Sequence, residues 1–186
     1  MKTIGTFILS SLMVISTWSG VTSASTFRPI ALARLVEQSE VIVVAMPISA
    51  ECHWATIGSV LRLVTDFTLE VDWTLQGTSV TGEDIVVRTL GGSDGNLASL
   101  VYGEAQLAIG QSSLLFLVRN RDSELHVLGM AQGHYPLQIG ESGEWQIATS
   151  PGLEGVTQFQ LSAAKTLSGR MLSELPGLLQ TGGATP

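Results

Sequence analysis

The sequence predicts a mainly β fold: a small closed or partly open antiparallel β-barrel with a short helix before it and an amphipathic helix after it. Three observations carry that reading. Residues 61–75 alternate apolar and polar side chains with a single exception, which marks a strand with one dry face, far longer than the usual length of about five or six residues. A strand so long has to bend around a core. Further β-rich runs follow between turn signals, and apolar residues at helical spacing occur only near the two ends.

Taken in order, Lys2 precedes an apolar run from Ile4 to Ile15, and the chain then turns small and polar at Ser19, Gly20, Thr22, Ser23 and Ala24. This is the pattern of a secretory signal peptide over 1–24. The run is short of the roughly 20 apolar residues that span a bilayer. Cleavage after Ala24 would start the mature chain at Ser25, exported to a periplasmic or extracellular space. No second run of spanning length follows, so no membrane is expected as a partner after cleavage. Residues 25–150 are read as the barrel domain, and 151–186 as a C-terminal helix and frayed tail packed on it.

Over 29–39, Ile30, Ala33, Leu35 and Val36 fall near helical spacing, with Pro29 suited to a first turn. The β-branched run 41–46 suits a buried strand. In the long strand Leu61, Leu63, Thr65, Phe67, Leu69, Val71, Trp73 and Leu75 share one parity. Phe67, Leu69, Val71 and Trp73 should line the core while Asp66, Glu70 and Asp72 stay wet. Residues 85–90 form another strand, the glycine-rich 91–96 a turn or loop, and 114–119 and 125–131 two more strands. Shorter candidates lie at 135–139 and 145–148. Phe159, Leu161, Ala164, Leu167, Met171, Leu172 and Leu175 fit one amphipathic helix stopped by Pro176 and Gly177, with 182–186 frayed.

The composition fits a single domain able to bury a core: of 186 residues, 45% are hydrophobic and 13% charged. A net charge of −7 with lysine only at positions 2 and 165 argues against nucleic acid, which needs clustered cations. Cys52 is the one cysteine, so no internal disulfide forms and stability must come from packing. Its neighbours Ala50, Trp54 and Ala55 suit a buried structural thiol. Dimerisation through Cys52 stays open as the alternative.

The succession "SEVIVVAMPIS", "LEVDWTLQG", "DIVVRTLGG" and "GEAQLAIGQSSLLFLV" resembles a group of uncharacterised exported bacterial proteins. It is more faintly similar to the netrin-like modules of tissue inhibitors of metalloproteinases, which are OB-type barrels. The likeness covers about Leu32 to Gln132 and rests on barrel-building hydrophobics. It implies an OB-like barrel, and it brings in a secreted metalloprotease inhibitor-like role as an alternative function. Those inhibitors chelate the protease zinc through a disulfide-bonded N-terminal cysteine. Here the expected first residue is Ser25, with no cysteine near it.

Chemistry-bearing residues are scattered. His126 and His134 would stand ~26 Å apart on an unbroken strand at ~3.3 Å per residue. Cys52 and His53, as strand neighbours, point to opposite faces. No zinc spacing is present, and no metal or cofactor is expected. Cys52 with a histidine and a carboxylate would serve a small hydrolase, yet neither a GxSxG elbow nor a cysteine-protease signature occurs. Asp66, Glu70 and Asp72 on one strand face could bind Ca²⁺ or act on a glycoside. The plainer reading pairs that wet face with Arg62, Arg88 or Arg119 across the sheet. The 91–102 connection then remains, offering Ser93, Asp94, Asn96, Leu97, Leu100 and Tyr102 on a rigid scaffold. The expectation is an exported, non-enzymatic binding module whose partner is an exported protein or small ligand.

Overall fold

A computed structural model describes residues 28–78, 81–153 and 162–183. The signal peptide expected over 1–24, its cleavage point, and Phe159 and Leu161 of the tail lie outside the described residues.

Helix α1, Leu32–Gln38, buries Leu35 completely and Leu32 nearly so. It ends at Ser39, whose N–H and hydroxyl both donate to the Leu35 carbonyl. Pro29 lies upstream of the first turn instead of within it. Strand β1, Val41–Ile57, is 17 residues long, almost three times the expected run. Pro47, which cannot donate to a ladder, sits at a register jump that leaves Ile48 without a partner on the next strand, one of the places where a sheet tolerates proline. A turn at Gly58 and Ser59, with Gly58 at φ +63°, leads into β2, Val60–Gln76.

In β2 the expected alternation is clear only from Leu69 to Asp72, since Val64 of the other parity is fully buried and Asp66, Phe67 and Thr68 are all half-buried. Leu63, Thr65, Leu69 and Val71 are buried, Phe67 is half-buried, and Glu70 and Asp72 are exposed. It fails at both ends. Leu61 is 61% exposed because the hairpin outruns the core, and Trp73 is 37% exposed instead of lining it. The partners of Val44 and Ala45 are Trp73 and Val71, so Asp72 is skipped as a bulge and the parity rule stops there. Asp66, expected wet, is half-buried against Arg88.

Strand β3 is Asp84–Leu90, followed by a two-stranded ribbon, β4 at Gly92–Ser93 and β5 at Ala98–Ser99. Strands β6, Ser113–Arg119, and β7, Leu125–Val127, follow. The strand expected over 125–131 stops at Val127 because Gly129 and Met130 both take positive φ and open a 3₁₀ turn at Met130–Gly133. Strands β8, His134–Ile139, and β9, Trp145–Ile147, complete the sheet.

The sheet order β1-β2-β3-β7-β6, with β6 pairing back onto β1, closes a ring. Its β3–β7 joint is parallel and the other joints are antiparallel. Val43, Ala45, Val71, Val87, Leu115 and Leu117 fill a core with the inward side chains of these strands. Ile42, Val44, Leu114 and Phe116, alternating with them, join a second core with Tyr135, Ile147 and the helices. In the tail, α2, Ala163–Leu167, and α3, Leu175–Gly183, are separate helices with a 3₁₀ turn at Leu172–Glu174 between them. Pro176 therefore opens a helix where it was expected to stop one, in keeping with the fit of proline to a first turn. Gly182 and Gly183 belong to α3. Leu167 and Leu175 are fully buried in the second core. Among the described residues no helix is long and apolar enough to cross a membrane.

Candidate functional site

The 91–102 connection leaves β3 by crossing closely over the β1–β2 hairpin. Gly91 N–H donates to the Leu63 carbonyl at 2.8 Å, and Thr65 Oγ1 donates to the Gly91 carbonyl at 2.8 Å. Gly92, at φ +128°, passes so near that a Cβ there would run into Thr65 Oγ1 and stand 2.7 Å from Cys52 Sγ. Only glycine fits both the conformation and the space. Beyond it β4 and β5 fold back on each other around Asp94. Asp94 Oδ1 accepts the N–H groups of Asn96 and Leu97 at 2.9 and 2.8 Å, and Oδ2 accepts Trp54 Nε1–H at 3.0 Å. The backbone donors of Leu97 and Asn96, then the Trp54 indole, hold this carboxyl below the usual range.

The loop is thereby tied to β1 by a contact spanning 40 residues of sequence. Of the six residues expected to make contacts, Asp94 is the internal tie and Ser93 Oγ accepts Gly95 N–H. Asn96 is exposed, and Leu97, Leu100 and Tyr102 are 56%, 71% and 81% exposed. Leu100 also lines a cavity of about 430 Å³ with Thr65, Phe67, Thr89 and Glu104. The hairpin end adds exposed Trp54, Ile57, Val60 and Leu61. Trp54 is the residue that sequence reasoning passed over. An aromatic beside the turn of a long hairpin was the available signal.

A second constellation lies across β2, β3 and β7. Arg88 Nε and Nη2 donate to the two Asp66 oxygens at 2.6 and 2.7 Å, and Nη1 donates to Glu124 Oε1. Asn120 Nδ2 donates to Glu124 Oε2 at 2.8 Å and lies 3.1 Å from His126 Nε2. His53 stands 3.7 Å from Asp66, and His126 3.7 Å from Glu124. The Arg88 hydrogen bond holds the Asp66 carboxyl below its ordinary range, and Asp66 in turn raises Arg88. These groups border two clefts of about 350 and 330 Å³ that share Arg88 and Arg119. Glu104, at the end of the second, is pushed up by burial while its oxygens accept the N–H groups of Leu90 and Ala105. Each guanidinium nitrogen of Arg88 is already engaged, so the cluster works as a clamp across the parallel joint of the ring. Among the three arginines considered from the sequence for this face, the structure selects Arg88.

The remaining candidates do not converge. Cys52 is half-buried beneath Gly92, and His53 on the opposite face meets Asp66. His126 belongs to the clamp. His134 is buried elsewhere, with Nδ1 2.9 Å from Ser150 Oγ and Nε2 3.2 Å from Ser113 Oγ. Burial lowers its pKa to about 4, so the ring is neutral, one nitrogen donating and the other accepting. Glu70 and Asp72 stay on the surface, the latter accepting from Ser112 Oγ at 3.1 Å. Among the described residues no three His, Cys, Asp or Glu side chains gather as a metal site. The sequence matches no known protein-family model and no curated protein.

Proposed function

We propose that the protein is an exported, non-enzymatic binding module on an OB-type barrel, recognising an exported protein through the hairpin end and the 91–102 loop. A five-strand ring with one parallel joint between its third and last strands supports the OB-type reading. Export rests on the 1–24 pattern. The single observation that carries recognition is the Trp54–Asp94 hydrogen bond. It fixes a glycine-rich loop against the hairpin, so that Trp54 and Leu97, both exposed, are held by the same Asp94 carboxylate. Exposed apolar residues gathered at one end of a domain mark protein contact sites, and preorganisation lowers the entropic cost of using them. An inhibitor-like role is the form of this reading in which the partner is an exported protease.

The test compares immobilised wild type with a variant in which 96–100 is a Gly-Ser linker, both exposed to the exported fraction and read by quantitative mass spectrometry. Wild type and Cys52→Ser should retain the same protein, and the loop variant should lose it while keeping its thermal midpoint. Equal retention by the loop variant would refute the proposal, as would turnover of a substrate abolished by Cys52→Ser or His134→Ala.

A further inference from the structure

The first strand carries an edge that the fold leaves open. Strand β1 pairs with β6 only from Val41 to Ala45, and Gly110 N–H donates to the Pro47 carbonyl. From Ile48 to Ile57, among the described residues, β1 has β2 on one side and no backbone partner on the other. A long unpaired edge is a template for another strand, and proteins usually blunt it with lysine, proline or a bulge. Here Pro47 and the bulge at Ile48 precede the open stretch. Within it stand only one carboxylate, Glu51, and one imidazole, His53.

We propose that this edge is a self-association surface, on which a second copy of the chain adds antiparallel about a two-fold axis through Cys52. Two copies of one edge meeting about a two-fold place the same patch on each. Directly opposed residues share a face of the sheet, so the axis passes through a residue. With Cys52 on the axis, Glu51 of each copy opposes His53 of the other, and the small Ala50 opposes the large Trp54. An axis through Glu51 sets two carboxylates against each other. One through His53 opposes two imidazoles and leaves Glu51 against Ala55. The Cys52 register gives Glu51 an imidazole, where an axis through Ala50 would give it only the neutral hydroxyl of Ser49, and Glu51 lacks a donor. It is exposed, makes no hydrogen bond or ion pair among the described residues, and sits across from Asp66 on β2, a like charge. The edge shares Trp54 and Ile57 with the hairpin end proposed above for an exported partner, whereas Glu51 and His53 belong to the edge alone.

Light scattering of the purified protein under reducing conditions should give twice the monomer mass, for wild type and for Cys52→Ser alike. Glu51→Lys should give the monomer mass with a cooperative thermal transition whose midpoint no longer depends on protein concentration, and Glu51→Lys combined with His53→Glu should restore the dimer. A monomer at every concentration, or a dimer indifferent to Glu51→Lys, would overturn the proposal.

Discussion

Arg88 and Asp66 face each other across β3 and β2 and are joined by two hydrogen bonds, of 2.6 and 2.7 Å, between the guanidinium and both carboxylate oxygens. Their side chains are 16% and 21% exposed, and Glu124 draws on the same cation. Bidentate geometry and partial burial set this pair apart from exposed ion pairs of under about 1 kcal/mol. Arg88→Met, which strands two carboxylates, should cost about 2 kcal/mol in urea denaturation. In a double-mutant cycle with Asp66→Asn the costs should be non-additive. Simple additivity would mean that no clamp exists.

His134 predicts an acid-side loss of stability. Its folded pKa of about 4 lies below the ordinary 6.5, so the unfolded chain takes up a proton first as pH falls. The stabilisation is complete above about pH 6.5 and is lost progressively toward pH 4, by on the order of 3 kcal/mol. Asp66, also held low, adds a separate loss that begins near its ordinary 3.8 and deepens as pH falls further. Urea midpoints at pH 7.5, 5.5 and 4.2 should decline for wild type and run nearly flat for His134→Gln. Parallel slopes would assign the acid sensitivity to another group.

The Tyr135 hydroxyl is buried and has no hydrogen-bond partner among the described residues, while its ring meets Phe116 edge-on at 6.0 Å. Tyr135→Phe keeps the ring contact and removes the unsatisfied oxygen, so it should be neutral or stabilise by up to about 1 kcal/mol. Phe116→Ala should cost about 3–5 kcal/mol. A costly Tyr135→Phe would reveal a hydrogen bond to that oxygen.

Two glycines in the 91–102 loop separate conformation from space. Gly92 and Gly95 both take positive φ, but a Cβ on Gly95 meets nothing within 4 Å. Gly95→Ala should cost about 1 kcal/mol, and Gly92→Ala at least about twice that. Gly92→Ala should also speed the reaction of Cys52 with a thiol reagent, because β4 is forced off the sulfur. Equal costs and unchanged thiol reactivity would contradict the close crossing.

Much of this fold could be read residue by residue. The dry parity of β2 is visible in the sequence because polar residues stand opposite it, of which Glu70 and Asp72 are exposed, and it disappears at Trp73 because a bulge depends on the pairing of two strands. The second half of β1, with Pro47, Ser49, Ala50 and Glu51, has no propensity signal of its own and is a strand because β2 holds it. Pro176 was ambiguous in principle, since proline both ends helices and begins them. For the site, the glycine and short polar residues of 91–102 announced an exposed loop. Its tie to Trp54 and the Arg88–Glu124 contact join residues 40 and 36 positions apart, and neither spacing leaves a local pattern.

The turn at Gly58 and Ser59 also sets an order of events. It brings two 17-residue strands together through neighbouring residues, whereas ring closure must bring Val41 to Leu117, 76 positions apart. Loop entropy favours the first step and delays the second. A chain emerging from its amino end can thus form the hairpin before the closing strand exists. Pulse-labelled hydrogen exchange during refolding should protect amides of Val60–Gln76 earlier than those of Ser113–Arg119. Simultaneous protection would instead make closure of the ring the nucleating event.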